Sequence, residues 1–259
     1  DAHTDAPTAV SVMLAGVLLK MGGYGLMRVN VSMFPDVAQE AAYLIAVLAV
    51  VNILYGAMVT FRQNDLKRLI AFSSISHMGY VLLGISSIGG LGSASAIGLT
   101  GAAMQMFTHG TITGLLFVMV GLVYDKAHTR YIPDLGGLAS RMPFVAVTFV
   151  IAGMASLGLP ITSGFVSEAM IFMGAFQVYS LMTVLGVIGI LVTAGYILWA
   201  LQRTLFGPTL PRWDQLSDAN LIERVAPTLL VAVILLVGIY PALISDVFRS
   251  GVNEILLGF

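Results

Sequence analysis

The chain has 259 residues, of which 58% are apolar and only 10% are charged, and its formal net charge is −1. A soluble domain carries roughly 25% charged residues. This deficit excludes a soluble enzyme, a disordered region and a nucleic-acid-binding protein, because so few charged side chains cannot cover a surface that faces water. The sequence contains no cysteine, so it offers no thiolate ligands for a metal or an iron–sulfur cluster. The lipid bilayer is therefore the expected environment.

Apolar stretches of about 20 residues, the length that a helix needs to cross the bilayer, occur seven times along the chain. In chain order, the predicted spans are 8–28, 41–61, 67–89, 93–124, 143–177, 180–206 and 225–245. They predict an all-α polytopic membrane protein with about seven transmembrane helices. We expect residues 1–259 to form a single membrane domain.

The segment 143–177 is too long for one simple helix across the membrane. Its 35 residues would extend about 52 Å as an unbroken helix. Gly158, Pro160 and Gly164 lie in its middle and supply a helix breaker between two flexible positions. Irregular backbone at membrane depth marks transport sites, so we expect a discontinuous helix with its hinge at these residues. A simple proline kink is the alternative.

The basic residues other than Lys20 divide unequally between the two membrane faces. Seven crossings place two of them, Arg28 and Arg249, on one face and nine on the other: Arg62, Lys67, Arg68, Lys126, Arg130, Arg141, Arg203, Arg212 and Arg224. Basic residues accumulate on the cytoplasmic side of membrane proteins. The N-terminus is therefore predicted on the positive, cytoplasmic-like face. Splitting 143–177 into two crossings would destroy this bias, which favours one crossing.

Four titratable side chains are predicted near the middle of four different spans. They are Lys20, His77, His109 and Glu168. A charge at the centre of the bilayer costs about 2.5–3.5 kcal/mol even on the lenient scale, so such residues indicate function. Lysine, histidine and glutamate buried at one depth are suited to pass protons along a path parallel to the membrane plane.

Polar and small residues accompany these groups at helical spacing, which places them on the same helix faces. The expected polar lining comprises Tyr24, Ser73, Ser74, Gln105 and Thr113. Side chains of this kind can hold water between titratable groups, so the pattern predicts a proton relay. No His-x-x-x-His pair is present, and two histidines with a lysine and one carboxylate are a poor ligand set for a metal, so no metal site is predicted.

Several motifs together resemble a known family. The run from Asp1 to Thr8 is DAHTDAPT, and it is followed by LAGVLLKMGGYGLMR around Lys20. The runs DLKRLIAFSSISHMG, QMFTHG, GLP and GFVSE contain His77, His109, Pro160 and Glu168. Over almost the whole chain these motifs closely resemble the antiporter-like membrane subunits of proton-pumping NADH:quinone oxidoreductase, respiratory complex I.

The resemblance implies a role for each midplane residue. Lys20 matches the lysine that bridges two half-channels, His77 and His109 match the central hydrophilic axis, and Glu168 matches the terminal carboxylate. A glutamate at that last position is similar to the M-type subunit, which is chain 4 of organelles and the D-type chain of plastids and cyanobacteria. Ile161 departs from the pattern, because a glycine commonly follows the proline there.

The resemblance also implies a domain organisation. A full family member has about fourteen helices, and the seven spans resemble helices 8–14. Residues 1–39 then correspond to the last helix of a first repeat plus a loop, and residues 40–206 to the second five-helix repeat. Residues 207–259 form a loop, the final helix and an amphipathic tail, which is expected along the interface or on a neighbouring subunit.

The expected function is a non-redox, proton-translocating subunit of respiratory or photosynthetic complex I. The chain itself would hold no cofactor, with NADH, flavin, iron–sulfur clusters and quinone on other subunits. Its expected partners are the other membrane-arm subunits, the lipid bilayer, protons and internal water, and the expected location is the bacterial inner membrane, or else a thylakoid or organellar inner membrane. The alternatives are a subunit of a multisubunit Na⁺/H⁺ antiporter and a structural membrane-arm fragment.

Overall fold

A computed structural model describes residues 2–90 and 93–257, and in this part of the chain the regular structure is helical, which confirms the predicted fold class. The helices are α1 (Thr8–Val31), α2 (Pro35–Glu40), α3 (Ala42–Phe61), α4 (Leu66–Ser86), α5 (Ser93–Ala127), α6 (Pro143–Ser156), α7 (Ser163–Val178), α8 (Ser180–Leu205), α9 (Leu221–Ile239) and α10 (Ala242–Leu256). Single helical turns at Ala2–Asp5, Ser87–Gly90, Ile132–Asp134, Leu138–Ser140 and Pro211–Trp213 connect them.

Within residues 2–90 and 93–257, six helices are long and apolar enough to cross a membrane: α1, α3, α4, α5, α8 and α9. The two shorter apolar helices α6 and α7 share the seventh crossing, because α8 runs antiparallel along both of them. A Cβ added at Gly153 of α6 would lie 2.9 Å from Leu201 Cδ1, near the end of α8. Phe172 of α7 lies close to Gly186, which is nearer the start of α8. The seven predicted spans and the discontinuous helix are therefore confirmed.

The break between α6 and α7 covers residues 157–162 and contains two left-handed backbone positions. Gly158 has a φ of 71° and Ile161 has a φ of 82°. Glycine adopts positive φ readily, whereas a β-branched residue does so only under strain. Pro160 lies between them, so two of the predicted hinge residues are in the break. Gly164 is not, because it belongs to the first turn of α7 and packs against the carbonyl of Ala155.

The final span differs from its predicted bounds of 225–245. Helix α9 begins earlier, after a capping box in which Asn220 Oδ1 accepts the Glu223 N–H at 2.9 Å and Glu223 Oε2 accepts the Asn220 N–H at 2.8 Å. It ends at Ile239, before Pro241, because a proline cannot continue a helix. Residues 242–245 of the predicted span belong to the amphipathic helix α10.

Helix α10 packs against its own chain. Val252 and Ile255 are buried in a cluster with Met27 and Val31 of α1 and Ala103 of α5. The expected amphipathic tail is thus present, and its apolar face rests on α1 and α5.

Loops that carry most of the basic residues meet at one end of the bundle. Arg130 pairs with Asp65 at 2.7 Å, and Lys126 pairs with Glu223 at 3.2 Å. Arg141 pairs with Asp214 at 2.5 Å. The loops before α4, after α5 and before α9 therefore lie on one side, as the count of basic residues predicts.

Candidate proton-transfer site

The four midplane residues form one continuous row across four helices. Lys20 comes from α1, His109 from α5, His77 from α4 and Glu168 from α7. All four are buried, with exposures of 8% for Lys20, 3% for each histidine and 5% for Glu168. We call this set the titratable row.

The row begins with a direct contact between Lys20 and His109. Lys20 Nζ lies 2.8 Å from His109 Nδ1, within hydrogen-bond distance, and donates to the carbonyl of Ala15. The turn Leu14–Leu18 is π-helical, a wide turn that is frequent at functional sites, and it contains this carbonyl. Gly110 lies against Gly16, where an added Cβ would be 2.7 Å from the Gly16 carbonyl, so α1 and α5 approach closely enough for Lys20 to reach His109.

The middle of the row is a contact between two imidazole rings. The ring centroids of His77 and His109 are 5.1 Å apart and the planes are tilted by 39°. His109 Nε2 and His77 Nδ1 make no hydrogen bond with geometry that meets the usual limits. His77 Nε2 lies 3.3 Å from the hydroxyl of Ser156, which places a hydroxyl at that side of the ring.

The row ends at the carboxylate of Glu168, which has partners on two other helices. His77 Nδ1 lies 3.4 Å from Glu168 Oε1. Gln105 Nε2 donates to the same oxygen at 3.4 Å. The neighbours of Glu168 along α7 are largely apolar, so its polar surroundings come from α4 and α5.

A small hydrogen-bond network fixes the orientation of Gln105. Its side-chain oxygen accepts from Ser167 at 2.5 Å and from Thr108 at 3.3 Å. Because both hydroxyls donate to the oxygen, the NH₂ group is turned toward Glu168. Ser167, Thr108 and Ser156 were not among the predicted residues. Ser167 and Thr108 lie within one helical turn of Glu168 and Gln105, and this spacing is the signal that could have identified them.

The rest of the predicted polar lining does not bind the side chains of the row. Ser73 and Ser74 both donate to the carbonyl of Ile70, and Thr113 donates to the carbonyl of His109 at 2.5 Å. These three are buried beside the row with their hydroxyl hydrogens bound within their own helices. Tyr24 does not line the row: its side chain is 53% exposed and lies in a groove with Arg28 and Val247. Tyr24 follows Lys20 by four residues, so its side chain is rotated by about 40° around the helix axis relative to that of Lys20. This rotation is enough to place Tyr24 outside the narrow buried face of α1.

Among residues 2–90 and 93–257, no group of three or more His, Cys, Asp or Glu side chains is placed to hold a metal ion. The absence of a metal or cofactor in the protein stays a prediction.

A family model described as NADH:quinone oxidoreductase/Mrp antiporter, TM, matches residues 1–193. The chain belongs to this family. Among the family's members, NADH-quinone oxidoreductase subunit M from Rhodobacter capsulatus is 42% identical over 260 residues, which cover 100% of this chain and 50% of the relative. NAD(P)H-quinone oxidoreductase chain 4 from Synechococcus sp. (strain RCC307) is also 42% identical, covering 99% of this chain and 48% of the relative. The chain thus spans about half the length of these curated relatives.

Two solved structures have the same fold as this chain. A chain of respiratory complex I from Thermus thermophilus with bound NADH superposes with a TM-score of 0.88 at 28% identity, covering 97% of this chain and 52% of that chain. A chain of the Mrp complex from Dietzia sp. DQ12-45-1b superposes with a TM-score of 0.89 at 19% identity, covering 98% of this chain and 55% of that chain. At that identity the second match shows the fold alone.

Proposed function

We propose that the chain is a non-redox, proton-translocating part of an M-type subunit in the membrane arm of complex I. There it couples NADH or ferredoxin:quinone oxidoreduction to proton pumping. The observation that carries this proposal is the unbroken sequence of contacts from Lys20 through His109 and His77 to Glu168. The names of the relatives, subunit M and chain 4, support the M-type assignment.

From the order of these contacts we infer a direction for each proton step. A protonated Lys20 donates to the free Nδ1 of His109 across 2.8 Å, and transfer leaves the amine neutral. His109 then releases its other ring proton from Nε2. His77 accepts a proton at Nε2, beside Ser156, and gives one up from Nδ1 to Glu168. Because the two rings share no direct hydrogen bond, the step between them runs through water or a ring rotation.

We infer that the face with the paired loops is cytoplasmic and that the membrane is the bacterial inner membrane. Arg130, Lys126 and Arg141 cluster there, and basic residues favour the cytoplasmic side. The N-terminus lies on this side, since Thr4 accepts a hydrogen bond from Arg130 at 3.1 Å. Bacterial relatives support the location.

The proposed partners are neighbouring membrane-arm subunits, the lipid bilayer, and internal water. NADH, flavin, iron–sulfur clusters and quinone belong to other subunits in this proposal. The chain therefore contributes to a translocating enzyme without a redox centre of its own. The two-repeat organisation, with residues 40–206 as one five-helix repeat, also stays part of the proposal.

The proposal is tested with Lys20→Ala and Glu168→Gln introduced separately into the intact complex reconstituted in liposomes. Proton pumping is measured together with quinone reduction. We expect each variant to lower the number of protons pumped per quinone reduced, while exposed-site variants such as Gln177→Leu leave it unchanged. Undiminished pumping in both variants would contradict the proposal.

An antiporter subunit is the second candidate, because the family model covers both kinds of complex. The antiporter and complex I assignments differ in one measurable property. Proton flux that requires sodium, in vesicles without a quinone substrate, would favour the antiporter. Flux that requires quinone reduction and proceeds without sodium favours complex I.

A further inference from the structure

The hydroxyl of Ser156 contacts a ring nitrogen on another helix rather than a backbone carbonyl of its own helix. Its Oγ lies 3.3 Å from Nε2 of His77 on α4, and Ser156 is buried. A serine in a helix commonly donates to a carbonyl of the preceding turn. Ser73 and Ser86 of α4 do so, at 2.8 and 2.7 Å. Within the part of the chain that the structure describes, the His77 imidazole is the only hydrogen-bond partner of the Ser156 hydroxyl.

The place of Ser156 follows from the break between α6 and α7. Pro160 lies four residues later and has no N–H group to bond to the Ser156 carbonyl, so the helix ends at Ser156. The preceding residue packs against α7, because a Cβ added at Gly164 would be 2.5 Å from the Ala155 carbonyl. The end of α6 and the first turn of α7 therefore hold the Ser156 hydroxyl beside α4.

His77 has a polar neighbour at each of its two ring nitrogens. Nε2 lies beside the Ser156 hydroxyl, and Nδ1 lies 3.4 Å from Glu168 Oε1. An ionised carboxylate only accepts hydrogen bonds, so it matches an Nδ1 that carries a proton. A hydroxyl both donates and accepts, and its hydrogen rotates to suit the partner. The Ser156 hydroxyl can therefore donate to a bare Nε2 or accept from a protonated Nε2.

We propose that Ser156 is a positioning residue for His77. Its hydroxyl keeps Nε2 on the side of α6 and thereby directs Nδ1 at Glu168. In the step from His77 to Glu168, the Nδ1–H bond of the imidazolium breaks and an O–H bond forms on the carboxylate. The neutral ring that remains carries its proton on Nε2, where the Ser156 hydroxyl accepts it. This proposal rests on the proposed function, since it concerns one step of the titratable row.

The ionisable side chains around His77 come from several helices. They are Tyr80 of α4, His109 of α5 with Lys20 of α1 behind it, Glu168 of α7 and Tyr196 of α8, which interacts with Ser73 of α4. Tyr43 and Tyr55 of α3 are exposed, and α6 contains no ionisable side chain. Because a serine hydroxyl does not titrate near neutral pH, a change at Ser156 alters the pH dependence of pumping through His77.

The test introduces Ser156→Ala into the intact complex in liposomes, with Ser86→Ala as the matched control. Ser86 is also buried and belongs to the same helix as His77, but its hydroxyl donates to the carbonyl of Leu83. Proton pumping is measured as a function of pH, together with quinone reduction in the presence of an uncoupler. If the alanine variant does not assemble, Ser156→Cys takes its place, because a thiol is similar in size and a weaker donor.

We expect the pumping rate of the Ser156 variant to fall about threefold or more, as for the loss of one hydrogen bond, and its pH profile to be displaced. Ser86→Ala should keep both the rate and the profile, and uncoupled quinone reduction should be unchanged in every variant. A normal rate, or a lower rate with an unchanged pH profile, would overturn the positioning role.

A further variant, His77→Asn, separates this proposal from the proposed function. If His77→Asn pumps as the unmodified complex does, the row does not carry protons at His77 and the proposed function fails. If His77→Asn is impaired while the Ser156 variant pumps normally, only the positioning role is overturned. Impaired pumping in both variants, with the displaced pH profile at Ser156, supports both proposals.

Discussion

The backbone of Gly158 lies directly against the carboxylate of Glu168, ten residues later in the chain. A Cβ added at Gly158 would be 2.7 Å from Glu168 Oε2. The break between α6 and α7 thus does more than interrupt a helix. It folds the chain so that a residue without a side chain contacts the terminal group of the titratable row.

Gly158→Ala should therefore impair proton pumping through two effects. The added methyl group forces the carboxylate to move, and alanine at a φ of 71° is strained by roughly 1–3 kcal/mol. Gly207→Ala is the matched control, because Gly207 has a φ of 106° and nothing within 4 Å of an added Cβ. Pumping is measured in liposomes. We expect Gly158→Ala to lose more pumping activity than Gly207→Ala. Equal losses of pumping in the two variants would show that backbone strain alone causes the effect.

Ile161→Gly should stabilise the protein. The native residue is β-branched, 63% exposed and held at a φ of 82°, a strained combination. Relief of about 1–3 kcal/mol of strain exceeds the roughly 0.4–1 kcal/mol lost through the greater freedom of glycine in the unfolded state.

The measurement for Ile161→Gly is the midpoint of thermal denaturation of the purified complex, with Leu159→Gly as the control in the same break. Leu159 is also exposed, at 48%, and lacks a positive φ. We expect a higher midpoint for Ile161→Gly and a lower one for Leu159→Gly. A decrease in both would show that the backbone at 161 is not strained.

Gln105→Leu should reduce proton pumping severalfold. The substitution removes the NH₂ donor to Glu168, whereas Ser167 keeps the carbonyl of Gly164 as an acceptor and Thr108 keeps Ser167 as a partner. Loss of a donor to a buried carboxylate costs about 1–3 kcal/mol. Gln177→Leu, on the exposed side of α7, is the control. Proton pumping is measured for both variants. Equal pumping by Gln105→Leu and Gln177→Leu would exclude a role for the Gln105 network.

Asp65 should stabilise the protein in two separable ways. One oxygen caps α4 by accepting from the N–H groups of Lys67 at 2.8 Å and Arg68 at 3.0 Å, and the other pairs with Arg130. Asp65→Asn keeps the cap and loses the ion pair, at a cost of up to about 1 kcal/mol. Asp65→Ala loses both, and a cap contributes roughly 1 kcal/mol more. Unfolding in mixed detergent should therefore rank Asp above Asn and Asn above Ala; equal values for Asn and Ala would rule out the capping contribution.

The membrane architecture and the row could be predicted from sequence because both follow from local rules. Apolar length determines the spans, and charge is costly at mid-membrane, so Lys20 and Glu168 stand out in a single sequence. The break could be predicted for the same reason, since Gly158 and Pro160 are two helix breakers separated by one residue.

Contacts between helices could not be predicted in this way. The contact of Gly158 with Glu168 and the approach of Gln105 to Glu168 depend on how α5, α6 and α7 pack. Tyr24 was placed wrongly because the spacing from Lys20 does not show how narrow the buried face of α1 is.

The central claim is that protons pass along the titratable row, and His109 is its midpoint. His109→Asn keeps a neutral hydrogen-bonding side chain but cannot carry a proton, and His128→Asn, at an exposed loop position, is the matched control. The decisive measurement is the number of protons pumped per quinone reduced by the intact complex in liposomes. The row predicts a lower ratio for His109→Asn and an unchanged ratio for His128→Asn. An unchanged ratio for His109→Asn would contradict it.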